Sequence, residues 1–224
     1  MPPTDERIER SRLLYEKAIF TGDAGALTEA DRGLDAVEAD LALARGRLIH
    51  GRFLAQRDSD PDHAEPDPQA LALFERATQL YQRTGDPRGE AEALFWTGCF
   101  HQVQGRDDTT AVPILERSLA LARHAGGPAA GTAAEALRHL GVAALRAGQL
   151  DLARQHLEES TRLRREQGSL PGVAANMVGL IYIALAQGRR DDARALAEEA
   201  QAMAESAGAR TIVRQVTEAR RQLG

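Results

Sequence analysis

The chain has 224 residues, of which 43% are hydrophobic and only 4% aromatic, so it can bury a core but has little of the aromatic bulk typical of β-sheets. Its 28 basic and 33 acidic side chains give a net charge of −5, which excludes the basic surface of a general nucleic-acid binder. The single cysteine, Cys99, excludes an internal disulfide framework and a four-thiolate metal site, and it is typical of a reducing compartment.

The N-terminal segment predicts a short charged helix. Met1 to Arg12 lacks an apolar run, so we expect no secretory signal peptide. No stretch approaches the 18 apolar residues of a membrane span either. A first helix is predicted from Asp5 to Thr21, with these residues facing inward: Ile8, Tyr15, Ala18 and Ile19. We therefore expect a cytoplasmic protein that does not contact a membrane.

A heptad pattern follows the first helix. Apolar residues recur at alternating steps of 3 and 4 at Leu27, Ala30, Leu34, Val37, Leu41, Ala44 and Leu48. This pattern permits one long helix or two helices kinked near Gly33, and we favour the kink. Because three consecutive heptads can form a partner surface, a homodimer through this seam remains open.

Residues 58–68 are compositionally unusual, with five carboxylates and three prolines in eleven positions. The spaced aspartates invite comparison with a calcium loop. In such a loop, however, the turn glycine would fall at His63 and the bidentate glutamate at Gln69. We therefore predict an extended acidic loop, with no metal and no cofactor.

The rest of the chain is an internal repeat. One set of glycines, Gly85, Gly126, Gly168 and Gly208, is spaced by 41, 42 and 40 residues. A second set, Gly105, Gly148 and Gly188, is spaced by 43 and 40, with an extra residue near the first turn. Between these marks one helical stripe recurs four times, at Ala70, Phe74, Ala77 and Leu80; Ala111, Leu115, Ser118 and Leu121; Ala153, Leu157, Ser160 and Leu163; and Ala193, Ala197, Ala200 and Met203. Each period of about 40 residues therefore reads as a helical hairpin.

Two of the first helices carry glycine at their centre, Gly98 and Gly141, which predicts a close approach of two helices at these positions. At the C-terminus, Thr211 to Leu223 is predicted to be a capping helix. Its buried side is formed by Ile212, Val216, Ala219 and Leu223. Such a cap would close the last apolar face of a stacked array.

The segment Leu137 to Gly141, with Gly148, Ala153, Leu157 and Pro171, resembles the signature of the tetratricopeptide repeat (TPR) family. The resemblance covers about residues 35 to 208 and is closest to the 40-residue variety of bacterial signalling and regulatory proteins. It implies an all-α fold, a right-handed α-solenoid of TPR-like helical hairpins with N-terminal helices and a C-terminal capping helix. We divide this single domain, 1–224, into N-terminal helices 4–34, an irregular repeat 35–86, repeats 87–127, 128–168 and 169–208, and a cap 209–224.

The resemblance also implies that the first helices of successive hairpins line a concave groove. Counted from the central positions Gly98, Gly141 and Ile181, the groove positions are Phe95, Cys99 and Gln102; Arg138, Val142 and Leu145; and Val178, Tyr182 and Leu185, with Arg146 beside them. We expect Phe95 and Tyr182 to be accessible. Leu145 and Leu185 fit the inter-helix core equally well.

No sequence motif supplies a nucleophile, a zinc site or a phosphate-binding loop. Cys99 is better explained as a packed thiol than as a nucleophile. The leading hypothesis is a non-enzymatic protein–protein interaction module that binds a peptide or helical segment in the groove. The first alternative is a regulatory or sensor domain for a small organic ligand or signalling peptide, and the second is an enzyme with its active site in the groove.

Overall fold

A computed structural model describes residues 5–60 and 63–223, apart from the side chain of Pro128. Residue 4, Pro61, Asp62 and Gly224 of the predicted segments lie outside this description. The described residues form ten α-helices and one 3-10 turn, with no strand. The helices are α1 (Glu6–Thr21), α2 (Ala24–Ser59), α3 (Pro68–Thr84), α4 (Pro87–Val103), α5 (Asp108–Ala125), α6 (Ala130–Arg146), α7 (Leu150–Glu166), α8 (Leu170–Ala186), α9 (Arg190–Ser206) and α10 (Arg210–Arg221), and the 3-10 turn is Gly127–Ala129.

The chain forms two compact units, Met1–Arg117 and Ser118–Gly224. In the first unit, α1 packs on α2, α2 on α3, and α3 on α4. In the second, α6 to α9 pack in chain order and α10 closes against α8 and α9. The predicted all-α fold of TPR-like hairpins is thus confirmed.

The turns between helices are set by glycine. At the end of α6, Gly148 has a φ of 72°, and the N–H of Gln149 donates to the carbonyl of Ala144 at 2.9 Å. This left-handed ending satisfies carbonyls that the helix itself leaves unpaired. The turn after α4 differs from the prediction: the extra residue there moves the left-handed conformation from Gly105 to Arg106, whose φ is 52°.

Glycines in the first helix of two hairpins leave room for a large side chain of the second helix. A Cβ added to Gly98 would lie 2.7 Å from Cγ of Leu115, and one added to Gly141 would lie 2.8 Å from Cγ of Leu157. The predicted close approach of helices at these positions is therefore confirmed. In the α8–α9 hairpin the large side chain is on the first helix and the small one is on the second.

The reversal is seen 40 residues after Gly141 and Leu157. There Ile181 occupies the first-helix position and Ala197 the second-helix position, and both are fully buried. The large side chain has moved from the second helix to the first, and the core remains filled.

Helix α2 is one continuous helix of 36 residues, so the kink that we favoured at Gly33 is wrong. Ion pairs from Arg7 to Asp40 and from Lys17 to Asp23 tie α1 to its first half. Its second half packs on α3, where Leu43 is buried. Because different partners support successive halves, tertiary packing keeps the helix continuous through Gly33, a residue of low helix propensity.

The two terminal helices differ in how well their buried sides were predicted. In α1 only Ala18 is buried, while Ile8, Tyr15 and Ile19 are exposed, so their predicted inward orientation is wrong. In and after α10 the predicted side is confirmed, with Val216, Ala219 and Leu223 buried and Ile212 packed against the same cluster.

Candidate functional site

Helices α6 and α8 contact each other in the second unit, and α10 contacts α8. The turn glycines Gly148 and Gly188 are 40 residues apart, so residues separated by 40 occupy equivalent places on these helices. This spacing aligns predicted groove residues of α6 and α8. We call them the α6–α8 face: Arg138, Val142 and Leu145 on α6, and Val178, Tyr182 and Leu185 on α8.

The α6–α8 face is apolar and only partly covered. Tyr182 and Leu185 are half-buried and pack against the core of α8, α9 and α10. Val142 and Leu145 are also half-buried. Val178 is 9% exposed and belongs to the core at the base of the face. These side chains can therefore bury more apolar surface against a partner.

Charges of opposite sign border this face. On α6, Arg138 is half-buried and Arg146 is exposed in the last turn. On α10, Glu218 occupies the place equivalent to Arg138. Burial raises the pKa of the Tyr182 phenol, and the negative charge of Glu218 raises it further. A partner would thus meet an arginine on one side of the apolar residues and a carboxylate on the other.

The groove residues predicted on α4 are buried instead. Phe95, Cys99 and Gln102 are 4%, 3% and 2% exposed, so the expected accessibility of Phe95 is wrong. The Phe95 ring makes an edge contact with Trp96, at 5.1 Å between centroids. The amide of Gln102 donates to Asp108 at 2.9 Å. Contacts from other helices, such as that of His50 on α2 with Cys99, cover this side of α4, and an offset counted along one helix does not report them.

Cys99 belongs to a buried polar network that the sequence analysis missed. Its Sγ lies 3.8 Å from Nε2 of His50, and Nδ1 of His50 lies 3.0 Å from Nε2 of Gln104. The Oε1 atom of Gln104 accepts the backbone N–H of Asp67 at 3.1 Å. The network thus joins α2 and α4 to the residue that precedes α3.

The hydrogen bonds of this network fix its protonation. The Asp67 N–H can only donate, so it orients the Gln104 amide with its NH₂ group towards His50. Nδ1 of His50 is then the acceptor, and the neutral ring carries its proton on Nε2, which faces the sulfur. Burial lowers the pKa of His50 to about 4, with a smaller effect from the charge of Arg57. His50 therefore cannot take the thiol proton of Cys99. The role of the network is structural, since it ties α2 and α4 together.

The acidic loop caps a helix. Asp67 is the N-cap of α3, and its side chain accepts the N–H of Gln69 at 2.9 Å. The exposed His63 side chain places its Nδ1 3.0 Å from Oδ1 of Asp60. Within residues 5–60 and 63–223, no three His, Cys, Asp or Glu side chains come together as a metal site would require.

Comparison with known proteins adds one match. The family model described as tetratricopeptide repeat matches residues 100–166, a span that includes α5, α6 and α7. No curated protein matches the chain. None of the helices in the described part of the chain combines the length and apolar character needed to cross a lipid bilayer.

Proposed function

We propose, from the match of residues 100–166 to the tetratricopeptide repeat model and from the TPR-like helical hairpins of the fold, that the chain is a non-enzymatic interaction module whose α6–α8 face binds a peptide or helical segment of a partner. Tetratricopeptide repeats generally mediate protein–protein interactions. The segment recognised would carry apolar anchors for Val142, Leu145, Tyr182 and Leu185. Charged groups on that segment would meet Arg138 and Glu218.

One observation carries this proposal: half-buried apolar side chains line adjacent first helices in the unit that includes most of the matched span. Tyrosine and arginine are the residue types that most often dominate binding free energy at protein interfaces. A tyrosine already held against the core also loses little conformational freedom on binding. Tyr182 is therefore the expected anchor.

The alternative function for the same face is a sensor or regulatory site for a small organic ligand. Small-ligand sites enclose most of the ligand surface. Leu145 and Leu185 are partly exposed on two different helices, so the face favours an elongated partner that covers several side chains in turn.

A random-peptide display selection tests the proposal directly. Peptides retained by the wild-type protein are measured by fluorescence anisotropy against wild type, Tyr182→Ala and Leu152→Ala. Leu152 is the matched control, because it is an exposed apolar residue on α7. We expect Tyr182→Ala to weaken binding by at least about tenfold and Leu152→Ala to leave it unchanged.

Charge exchange tests the borders of the face. We expect Arg138→Glu to weaken peptides that carry an acidic residue and Glu218→Arg to weaken those that carry a basic one, with unfolding curves confirming that each variant is folded. Retained peptides that respond to Leu152→Ala but not to Tyr182→Ala would contradict the proposal. So would a selection that retains no peptide above background.

A further inference from the structure

A row of exposed leucines runs along α2 at intervals of seven residues. Leu27, Leu34, Leu41 and Leu48 are 46%, 42%, 48% and 63% exposed. The seam predicted from the sequence had a second row, but Ala30 is buried and Val37 and Ala44 are partly buried. What faces solvent is therefore a single row of leucines.

Charged residues alternate with these leucines. Four residues after each leucine stand Asp31, Glu38, Arg45 and Arg52 in turn, all exposed, so the row is acidic in its first half and basic in its second. Glu38 pairs with Arg76, and this pairing lowers the pKa of its carboxyl. Asp31, Arg45 and Arg52 form no ion pair within the described part of the chain.

We propose that this row binds a second copy of the chain in an antiparallel arrangement, with a two-fold axis at Leu41. In that arrangement Leu41 meets its own copy and Leu34 meets Leu48. Asp31 then lies within one residue of the position opposite Arg52, and Glu38 within one residue of the position opposite Arg45, an offset of about 1.5 Å that long side chains can span. In a parallel pair these flanking charges would lie on opposite sides of the leucine row in the two copies and would not face one another, so the charge order favours the antiparallel dimer.

The available area agrees with a reversible dimer. From Leu27 to Arg52, α2 presents a strip about 37 Å long and about 10 Å wide, or about 400 Å² on each copy. Two copies thus bury about 800 Å² in total, which is below the 1,200 Å² or so of stable specific interfaces. We therefore expect dissociation in the micromolar range rather than a permanent dimer.

Sedimentation velocity over a concentration series tests this self-association. We expect the wild type to shift from monomer to dimer as concentration rises. Leu41→Glu places two carboxylates across the axis and should weaken the dimer by at least about tenfold, whereas Leu152→Glu on α7 should not change it. A wild type that stays monomeric throughout, or a dimer that persists in Leu41→Glu, would overturn the proposal.

Two further measurements test the antiparallel orientation. Asp31→Arg and Arg52→Asp should each weaken the dimer, and the double exchange should restore it, because the opposite charges face each other again. In a parallel dimer the double exchange would restore nothing. Leu41→Cys should form an intermolecular disulfide on oxidation, whereas Leu27→Cys should not; the reverse result would contradict the two-fold axis at Leu41.

This self-association does not depend on the proposed peptide binding, because α2 and the α6–α8 face belong to different units. The peptides selected above should bind Leu41→Glu with the wild-type affinity. Each proposal can therefore fail while the other stands.

Discussion

Leu157→Ala tests the packing of the repeats. Leu157 is 1% exposed and is enclosed by two glycines: an added Cβ would lie 2.8 Å from its Cγ at Gly141 and 2.6 Å from its Cδ1 at Gly179. Truncation of a buried leucine costs about 2–5 kcal/mol of unfolding free energy. Because neither glycine has a side chain that can move into the cavity, we expect about 3–5 kcal/mol.

A second substitution makes this prediction specific. Gly141→Ala should clash with Leu157 in the wild type, while in Leu157→Ala the new methyl group should occupy part of the cavity. We therefore expect Gly141→Ala to stabilise the truncated protein by about 1–2 kcal/mol, from burial and from helix propensity. The coupling between the two substitutions should be about 1–3 kcal/mol.

Urea unfolding followed by far-ultraviolet circular dichroism measures both effects. Leu152→Ala, on the same helix but exposed, is the control and should change the unfolding free energy by less than about 0.5 kcal/mol. The reasoning would be refuted if Leu157→Ala matched the wild type. An equal effect of Gly141→Ala in both backgrounds would also refute it.

Two further predictions concern buried polar groups. Asn176 is fully buried and donates to the hydroxyls of Ser160 and Thr161 at 2.8 and 3.2 Å, so Asn176→Ala should cost about 2–3 kcal/mol, and an unchanged melting temperature would show that these bonds do not contribute. The pKa of His50 is about 4 in the folded chain against a reference of 6.5, so the unfolded chain binds the proton more tightly and stability should fall between pH 6.5 and pH 4, by about 3 kcal/mol in all. His50→Gln removes this titration, and urea unfolding at a series of pH values should show a shallower loss in the variant over that window; parallel curves would contradict the assignment.

The repeat pattern predicted the fold because each hairpin places similar residues at similar sites. The spacing of Gly148, Gly168, Gly188 and Gly208 located the turns, since only glycine readily adopts their left-handed conformation. The stripe that contains Leu157 located the buried side of the second helix. These features are local in sequence, and a helical period reports them directly.

Features that depend on distant parts of the chain were not predicted. His50 and Gln104 are 54 residues apart, and no local pattern links them. The burial of Phe95 likewise depends on what covers α4, and the exposure of Ile8 depends on which side of α1 meets α2. A periodic pattern shows that a helix has an apolar side, but it does not show whether the same chain covers that side.

The exchange of size between Ile181 and Ala197 has a consequence for reading related chains. Judged one position at a time against the α6–α7 hairpin, the α8–α9 hairpin departs twice, once by a side chain too large and once by one too small. In the folded molecule the two differences compensate each other, because the volume gained at one position equals roughly that lost at its packing partner. Chains with more such paired exchanges would keep their packed helical hairpins but would lose the residues by which the repeat is recognised. A search for complementary side-chain volumes at paired positions would still detect the repeat in those chains.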